Sequence, residues 1–330
     1  MRILTDSLFS IVCVTYNQED LIMECLDSIA GQDYRKIELI VCDDCSTDRT
    51  VQVVEEWLEK HQDRFDNIVF LKNKENLGIS ATHDRGLRCA AGKYLKYIGG
   101  DDILAKNCVS RIVEFCKKTG TTWGQTLVTP FLDTLENSAD FELPFRRTRK
   151  YFSYAPAGQF RMFARRCFFC APGNFFERSI LEEIGFLDTE FRTFEDWHTW
   201  LRLTRAGHTA RLLPEPLVFW RRHLKSISYS AMYVGNVSFY QDIVRTLEKY
   251  VLPYEEALDW VTRKHLSSHL AYLKLLIEKG AKRDAHQKAI WLKLKSPLCW
   301  MELPYYLLNK LLPMLDRRRG IRPWNTSQAS

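Results

Sequence analysis

Two adjacent carboxylates stand at the end of a run that is typical of a buried strand. The run 93–98 is rich in aromatic and aliphatic residues, and it stops at Gly99-Gly100-Asp101-Asp102. A strand that ends in this way presents carboxylate oxygens at its tip, and the glycines allow a ligand to approach the backbone closely. Carboxylates bind Mg²⁺ or Mn²⁺ better than softer metals do. The segment therefore predicts a divalent ion that neutralises a diphosphate, although the same residues are also good turn formers.

The elements that must position these carboxylates alternate between strand and helix. Buried strands are predicted at Phe9–Val14, Ile37–Cys42, Ile68–Leu71 and Tyr94–Ile98. Apolar residues recur at helical spacing over 21–29, 51–58, 79–91 and 109–116. This alternation predicts a Rossmann-like α/β fold, with a mostly parallel sheet and helices on both faces. Ligands of such sheets bind beyond the carboxyl ends of the strands.

Polar residues follow three of these strands, so they are expected at one edge of the sheet. The first strand ends at Thr15-Tyr16-Asn17, the second at Asp43-Asp44 and the fourth at Asp101-Asp102. In this position Tyr16 can stack on a base and Asp44 can accept a hydrogen bond from a base N–H. A turn tyrosine and a helix cap are equally ordinary explanations for these two residues. No G-x-G-x-x-G follows the first strand and the sequence contains no P-loop motif, which disfavours dinucleotide and P-loop binding.

Taken together, the polar segments resemble the family 2 glycosyltransferases of GT-A fold. The matching segments, in the order of the family, are Val14-Thr15-Tyr16-Asn17, residues 41–48, residues 76–80, and Gly92-Lys93-Tyr94 leading to Asp101-Asp102. The likeness covers roughly residues 8–225. It implies a nucleotide-diphospho-sugar transferase in which Thr15, Tyr16, Asn17 and Asp44 line the nucleotide site. It further implies that Asp101 contacts the ribose and that Asp102 holds Mn²⁺ or Mg²⁺ on the donor diphosphate.

The chain departs from the family pattern at two places. Gly99 stands where the family often carries the first acid of an Asp-x-Asp-Asp motif, which leaves a thinner ligand set for the metal. His83-Asp84 replaces an Arg-Asn pair that is frequent in the helix after residues 76–78. A donor contact from that helix is therefore not expected.

Glu195 and Asp196 begin a short helix whose apolar face includes Trp197 and Trp200. Acids at a helix N-terminus are favourable on dipole grounds alone. The pair nevertheless resembles the family's Glu-Asp motif, whose carboxylate is the general base. The resemblance predicts Asp196 as the base, with Glu195 as the second choice, and a single displacement that inverts the anomeric carbon.

Two further segments carry charge that fits a phosphorylated ligand. Residues 218–223 resemble a family segment of aromatic-Arg-x-His type, in which Arg222 would touch the diphosphate and His223 would complete the metal shell; a surface basic cluster is the alternative. Residues 146–174 interleave basic and aromatic side chains, which suits a sugar-phosphate acceptor or a single-stranded nucleic acid. A loop with its aromatic side chains turned inward is the simpler explanation for most of these residues.

The C-terminal part of the chain is basic. The 330 residues carry a formal net charge of +6, and from Val251 onward 14 lysine or arginine residues face 7 acidic ones. Apolar segments over 298–315 precede Arg317-Arg318-Arg319, which predicts either an interfacial membrane anchor or packing on the core.

Ten cysteines without a secretory signal predict a reducing, cytoplasmic location. The two Cys-x-x-Cys pairs, Cys42/Cys45 and Cys167/Cys170, lie too far apart for a zinc ribbon.

The sequence thus predicts a GT-A catalytic domain over 1–230 and a helical, basic C-terminal extension over 231–330. Residues 8–118 form its nucleotide-binding half and residues 119–230 its acceptor half. The expected reaction is transfer from a nucleotide-sugar, most simply a UDP-sugar, to a saccharide acceptor that is lipid-linked, as in surface polysaccharide synthesis. The expected location is the inner face of the cytoplasmic membrane, without a nucleic-acid partner. A nucleotidyltransferase and a non-catalytic nucleic-acid- or membrane-binding module remain the alternatives.

Overall fold

The computed structural model describes residues 7–132, 134–138, 148–222, 237–280, 291–292 and 294–297. The chain divides into two compact units, Met1–Tyr254 and Glu255–Ser330. The helix Val237–Tyr250 belongs to the first unit. Among the described helices, none has the length and apolar character needed to cross a bilayer.

The first half of the sheet is parallel, as the sequence predicts. Its strands are β1 (Phe9–Thr15), β2 (Ile37–Asp43), β3 (Asn67–Lys72) and β4 (Tyr94–Gly99), in the order β3-β2-β1-β4. All three pairings between these strands are parallel. Each predicted strand is confirmed to within one residue at either end, because a continuous apolar run is the usual pattern of a strand buried on both faces.

The second half of the sheet is mixed. Its strands are β5 (Ile103–Leu104), β6 (Trp123–Leu132), β7 (Thr134–Ser138), β8 (Asn174–Glu177) and β9 (Arg211–Arg221). The sheet continues as β4-β8-β6-β9-β5, with β7 paired to β6. In this half β6 and β9 pair in parallel, while the pairings of β8, β5 and β7 are antiparallel. The sheet is therefore parallel where nucleotide binding is predicted and mixed where the acceptor half is predicted.

The described residues contain the following helices, of which the last belongs to the second unit. They are α1 (Ile22–Ala30), α2 (Thr50–His61), α3 (Ile79–Cys89), α4 (Cys108–Thr119), α5 (Pro156–Arg165), α6 (Arg178–Glu183), α7 (Trp197–Arg205), α8 (Val237–Tyr250) and α9 (Trp260–Glu278). One core cluster joins β1 and β2 to α1 and α4 through fully buried aliphatic side chains. The predicted helices of the first half are confirmed.

The aromatic residues of the segment before β8 build a second part of the core. Trp123 stacks on Phe169 and on Trp200, with ring centroids 5.5 Å and 5.4 Å apart. Phe163 and Phe168 are buried and stack at 4.1 Å. The aromatic side chains of this segment are thus turned inward, which is the simpler of the two explanations given above, and they fix α5 against α7.

Candidate active site

The ends of β1, β2 and β4 lie side by side at one edge of the sheet. Thr15 is opposite Asp43, and Val14 is opposite Gly99. The backbone N–H of Gly100 donates to the carbonyl of Val14 at 2.8 Å, which continues the ladder past the end of β4. The three polar segments predicted from the sequence are therefore brought together.

Residues 15–17 form an ordered turn against the end of β2. Thr15 is buried and its hydroxyl donates to Gln18 Oε1 at 2.9 Å. Asn17 adopts a left-handed conformation with φ of 51°, and its Oδ1 accepts from the backbone N–H of Thr47 at 2.8 Å. Between these two anchored residues, the Tyr16 side chain is 45% exposed. An exposed aromatic ring on a fixed turn is what base stacking requires, and that role remains a prediction.

Asp44 holds the loop that precedes α3. Its carboxylate is buried and accepts from Asn73 Nδ2 at 2.8 Å, from the Leu77 N–H at 2.8 Å and from the Gly78 N–H at 2.9 Å. Gly78 has φ of +87°, and a Cβ there would lie 3.0 Å from the carbonyl oxygen of Arg192. Asp44 therefore fixes the loop 77–78 to the end of β2, and this loop contacts Arg192 in the segment before Glu195. Contact between Asp44 and a nucleobase remains a prediction.

Arg221 holds the acidic turn after β4. Its backbone N–H donates to Asp102 Oδ1 at 2.9 Å, and its Nε donates to the Asp101 carbonyl at 2.9 Å. Its Nη2 reaches Glu24 Oε2 on α1 at 2.6 Å, and the guanidinium lies 4.5 Å from the centroid of the Phe131 ring. The sequence pattern points to Arg222 and gives no sign of Arg221, because no local pattern shows which arginine of a pair turns inward.

Arg222 lies next to this turn at the end of β9. Its backbone N–H donates to the Phe131 carbonyl at 2.9 Å, and its guanidinium is 5.0 Å from the centroid of the Trp220 ring. His223 lies outside the described residues. The end of β9, which Arg222 follows directly, is thus beside Asp101 and Asp102, as a diphosphate site requires.

Removal of the Arg221 side chain should destabilise the fold. Arg221→Met eliminates a buried guanidinium and two of its hydrogen bonds, and we expect the free energy of unfolding to fall by about 2 kcal/mol. Arg111→Met is the matched control, because the Arg111 side chain is 38% exposed and pairs with Glu215 at the surface; a surface pair contributes about 0–1 kcal/mol. Urea unfolding of both variants measures the difference. Equal losses would contradict the role given to Arg221.

The environment of Asp102 fits a bound cation. Asp102 is buried, and burial, followed by the charge of Asp101, raises its pKa well above the usual range. Two adjacent carboxylates of this kind gain stability when a divalent ion neutralises them. Within the described ranges no group of three or more His, Cys, Asp or Glu side chains is arranged to hold a metal. A metal at Asp101 and Asp102 would thus take further ligands from a diphosphate or from His223.

Gly100 lies close to the start of α1. A Cβ at Gly100 would lie 2.6 Å from Gln18 Oε1 and 2.7 Å from Ile22 Cδ1. Such distances are well below ordinary van der Waals contact. A side chain at Gly100 would therefore require the Gln18 and Ile22 side chains to shift.

Asp196 is the N-cap of α7. Its Oδ1 accepts from the Trp197 N–H at 2.6 Å, and its Oδ2 accepts from the Cys167 thiol at 3.8 Å. Burial raises the pKa of Asp196 to about 6. Burial, followed by the charge of Asp196, raises the pKa of Glu195 to about 8. Both carboxyls are therefore protonated more readily than exposed ones, Glu195 more so than Asp196.

The charges of the Glu195-Asp196 pair and of the acidic turn act on shared neighbours. Burial, and after it the charges of Asp102 and Asp196, raise the pKa of the Cys170 thiol, which therefore lies near both carboxylates. Tyr97, on β4, provides a second link, because burial and then the charges of Glu195 and Asp196 raise its pKa. Cys167 and Cys170 thus flank the predicted base.

Helices α3 and α8 support the segment before Glu195. The hydroxyl of Ser80 on α3 donates to the Phe194 carbonyl at 2.9 Å. On α8, Asp242 Oδ2 accepts from the Arg192 N–H, the Thr193 N–H and the Thr193 hydroxyl, at 3.1 Å, 3.0 Å and 2.7 Å. The position of the base therefore depends on a helix more than 40 residues later in the chain.

The two departures in α3 have structural roles. His83 is buried against Tyr97, with ring centroids 4.7 Å apart, and burial lowers its pKa to about 4. Asp84 Oδ1 accepts from the Leu187 N–H at 2.9 Å, and its Oδ2 pairs with Arg88. This pair supports packing beneath the site.

A sequence model of the family described as Glycosyl transferase family 2 matches residues 10–185, more than half of the chain. The chain belongs to glycosyl transferase family 2. The glycosyltransferase GlyA of Streptococcus pneumoniae is 32% identical over 116 residues, which cover 34% of this chain and 16% of GlyA. An uncharacterized glycosyltransferase of Haemophilus influenzae is 37% identical over 111 residues, 34% of this chain and 33% of that protein. The chain thus spans at most a third of the length of these two relatives.

A longer match reaches the Escherichia coli protein WfaP, named as a UDP-Glc:alpha-D-GlcNAc-diphosphoundecaprenol beta-1,3-glucosyltransferase. It is 24% identical over 221 residues, which cover 67% of this family 2 chain and 80% of WfaP.

Solved glycosyltransferase structures share the fold. The crystal structure of S. aureus TarS 1-349 with UDP-GlcNAc matches with a TM-score of 0.59 at 18% identity, over 88% of this chain and 82% of that one. The mannosyltransferase PcManGT from Pyrobaculum calidifontis, in complex with GDP-Man and Mn²⁺, matches with a TM-score of 0.60 at 22% identity, over 99% and 85%. These likenesses confirm the predicted GT-A fold for this family 2 member.

Proposed function

We propose that this chain is an inverting, metal-dependent glycosyltransferase that moves a sugar from a nucleotide-sugar, most simply a UDP-sugar, to a saccharide hydroxyl. One observation carries the proposal. The ends of β1, β2 and β4, which carry the proposed donor residues, meet at one edge of the sheet. The charges of Asp102 and Asp196 both raise the pKa of the Cys170 thiol, which supports one space for the proposed metal ligand and the proposed base. Separate sites for metal binding and proton removal would not serve a single displacement.

Asp196 is the base in this proposal. A pKa of about 6 keeps Asp196 ionised at neutral pH and makes it a stronger base than an exposed aspartate. As the acceptor oxygen bonds to the anomeric carbon, its proton passes to Asp196 and the bond from that carbon to the diphosphate oxygen breaks. Attack opposite the leaving group inverts the anomeric carbon. Glu195, neutral at this pH, does not compete for the proton.

The donor occupies the strand ends. In this arrangement the Tyr16 ring stacks on the nucleobase of the donor. The nucleobase pocket is shaped by Thr15, Asn17 and Asp44, and Asp101 binds the ribose. Arg222 contacts the diphosphate. A metal held by Asp102 and His223, Mn²⁺ or Mg²⁺, supplies positive charge to the leaving diphosphate. The solved relatives that share the fold were obtained with UDP-GlcNAc, with UDP, and with GDP-Man and Mn²⁺.

The acceptor in this proposal is a lipid-linked saccharide in surface polysaccharide synthesis. The name of WfaP specifies a diphosphoundecaprenol-linked acceptor, and TarS is named as a poly(ribitol-phosphate) transferase. Such an acceptor places the enzyme at the inner face of the cytoplasmic membrane. The segment 298–319, from which membrane contact is predicted, lies outside the described residues.

A thermal-shift panel tests the donor site. UDP, GDP, dTDP and CDP are each added with Mn²⁺ and with EDTA. We expect one nucleotide, most simply UDP, to raise Tm with Mn²⁺ and not with EDTA, since ligand at 100 times its Kd stabilises a fold by about 2.7 kcal/mol. No rise with any nucleotide would contradict the proposed donor site, and an equal rise with EDTA would contradict the metal.

A further inference from the structure

Helix α8 packs on the segment that leads into the Glu195-Asp196 pair. The side chains that make these contacts lie on one face of the helix, because they recur at intervals of three or four residues. They are Phe239, Asp242, Arg245 and Lys249, with Tyr250 beside the last. Each of them contacts a residue within 188–194. Helix α8 thus holds a short stretch of backbone immediately before the proposed base.

Asp242 is a buried acid within this contact. It is 4% exposed, and its Oδ1 pairs with Arg245 Nη1 at 3.2 Å. Its Oδ2 accepts three hydrogen bonds from residues 192–193. A carboxylate binds N–H and O–H donors more strongly than a neutral acceptor does. The contacts of Lys249 lie nearer to the surface, since its side chain is 38% exposed. Asp242 is therefore the side chain of α8 with the firmest hold on residues 192–193.

The start of α3 holds the same backbone through its carbonyl groups. The Ile79 N–H donates to the Arg192 carbonyl at 3.3 Å, and the Ser80 hydroxyl donates to the Phe194 carbonyl at 2.9 Å. The loop that precedes α3 is itself bound by Asp44, at the proposed nucleobase pocket. The segment before the base is thus fixed to the donor side by its carbonyls and to α8 by its N–H groups.

We propose that Asp242 is a positioning residue for sugar transfer, which places the Asp196 carboxylate through the backbone of residues 192–193. The inference rests on the proposed function, in which Asp196 is the base. Asp196 follows Thr193 by three positions, so a displacement of this backbone moves the start of α7 and the carboxylate with it. A general base works only within hydrogen-bond reach of the proton that it removes, and a misplacement of about 1 Å can cost about 100-fold in rate.

Asp242→Ala tests the proposal by kinetics. We expect kcat, measured per folded protein well below Tm, to fall by about 10–100-fold. The donor KM and the nucleotide-dependent rise in Tm should not change, because the proposed donor contacts lie at the strand ends. Asp242→Asn keeps an oxygen that can accept from residues 192–193 and should retain most of kcat. If Asp242 only stabilised the fold, Asp242→Ala would lower Tm and leave the kcat of the folded protein unchanged.

Lys249→Met is the matched control on the same helix. It removes the ion pairs of Lys249 with Asp188 and Glu190, at 2.7 Å and 2.8 Å, and leaves the bonds to residues 192–193 in place. This variant should keep the kcat of the wild type. An equal loss of kcat in Lys249→Met, or no loss in Asp242→Ala, would overturn the proposal.

Amide hydrogen exchange gives a second readout, which needs no turnover. The Trp197 N–H donates to Asp196 Oδ1 and the Trp200 N–H donates to the Asp196 carbonyl, so both amides report the placement of Asp196. In Asp242→Ala their exchange should be at least about 10-fold faster, while the amides of β1 and β2 keep the rates of the wild type. Unchanged exchange at Trp197 and Trp200 would contradict the proposal.

Two further outcomes are covered by the same measurements. If the wild type transfers no sugar, the proposed function fails, and the exchange rates still decide whether Asp242 holds Asp196. If Asp242→Ala does not fold, Thr193→Val replaces it, because this change removes only the hydroxyl bond to Asp242. We then expect a smaller loss of kcat, about 3–10-fold, together with faster exchange at Trp197. Wild-type values for both in Thr193→Val would refute the positioning role.

Discussion

Asp196→Asn should abolish sugar transfer while donor binding persists. Removal of the general base costs about 10²–10⁴-fold in kcat. The donor contacts lie at the strand ends and do not include Asp196, so the nucleotide-dependent rise in Tm should be unchanged. Asparagine is the informative replacement because it also caps helices well, whereas alanine would remove the cap of α7 and cost about 1 kcal/mol of stability. Transfer rate and thermal shift, measured on the same preparation, separate chemistry from binding.

The pH profile of the wild type gives an independent check on the base. Asp196 acts in its ionised form, so kcat should rise as pH increases through about 6, the pKa that burial gives this residue, and then level off. Glu195→Gln is the paired variant. Because burial and the charge of Asp196 raise the pKa of Glu195 to about 8, glutamine imitates its neutral form at pH 7 and should retain most activity. Loss of transfer in Glu195→Gln with activity retained in Asp196→Asn would reverse the assignment.

Asp102→Asn should remove metal-dependent donor binding. The asparagine oxygen still accepts from the Arg221 N–H, so the acidic turn keeps its hydrogen bond while it loses the negative charge. We expect the Mn²⁺-dependent nucleotide shift to disappear and transfer to fall by about 10²–10³-fold, since the charge on the leaving diphosphate is no longer neutralised. Nucleotide titration with and without Mn²⁺ measures this effect directly.

The stability of the Asp102→Asn apoprotein distinguishes loss of function from loss of fold. Two adjacent carboxylates repel each other and one of them is buried, so the variant should be at least as stable as the wild type without metal. Asp63→Asn, at an exposed position, is the control for charge removal and should change neither binding nor Tm. A variant with lower stability, or with an intact Mn²⁺-dependent shift, would contradict the metal assignment.

The parallel half of the fold could be predicted because each of its strands is a continuous apolar run. The strands of the second half were harder to predict from the sequence. β9 carries Pro214 and Pro216, residues that argue against a strand, and the structure accommodates them where the register between β6 and β9 shifts. β8 is four residues long and its partners, β4 and β6, are distant in the chain. No local period predicts such pairings.

The sequence predicts which strand ends form the candidate site. It does not predict the contacts that hold these strand ends and the segment before Glu195 in place. The ends of β1, β2 and β4 meet as the strand order indicated, and the roles of Asp101, Asp102 and Asp196 stay predictions. Arg221 turns inward and bonds to Asp102, and Asp242 accepts hydrogen bonds from residues 192–193. Both contacts join residues more than 40 positions apart in the chain. The spacing of Cys167 and Cys170 indicated only that zinc was unsuitable, and gave no sign that their thiols flank a carboxylate. Tertiary placement of this kind leaves no trace in residue spacing.

The most direct measurement is a transfer assay with wild-type protein, Asp196→Asn and EDTA-treated protein side by side. A panel of nucleotide-sugars is incubated with saccharide acceptors of the lipid-linked type, and the product is followed by mass, with its anomeric configuration assigned by NMR. The account predicts one product from the wild type, of inverted configuration, and none from the other two samples. A product of retained configuration, or equal product from all three samples, would contradict it.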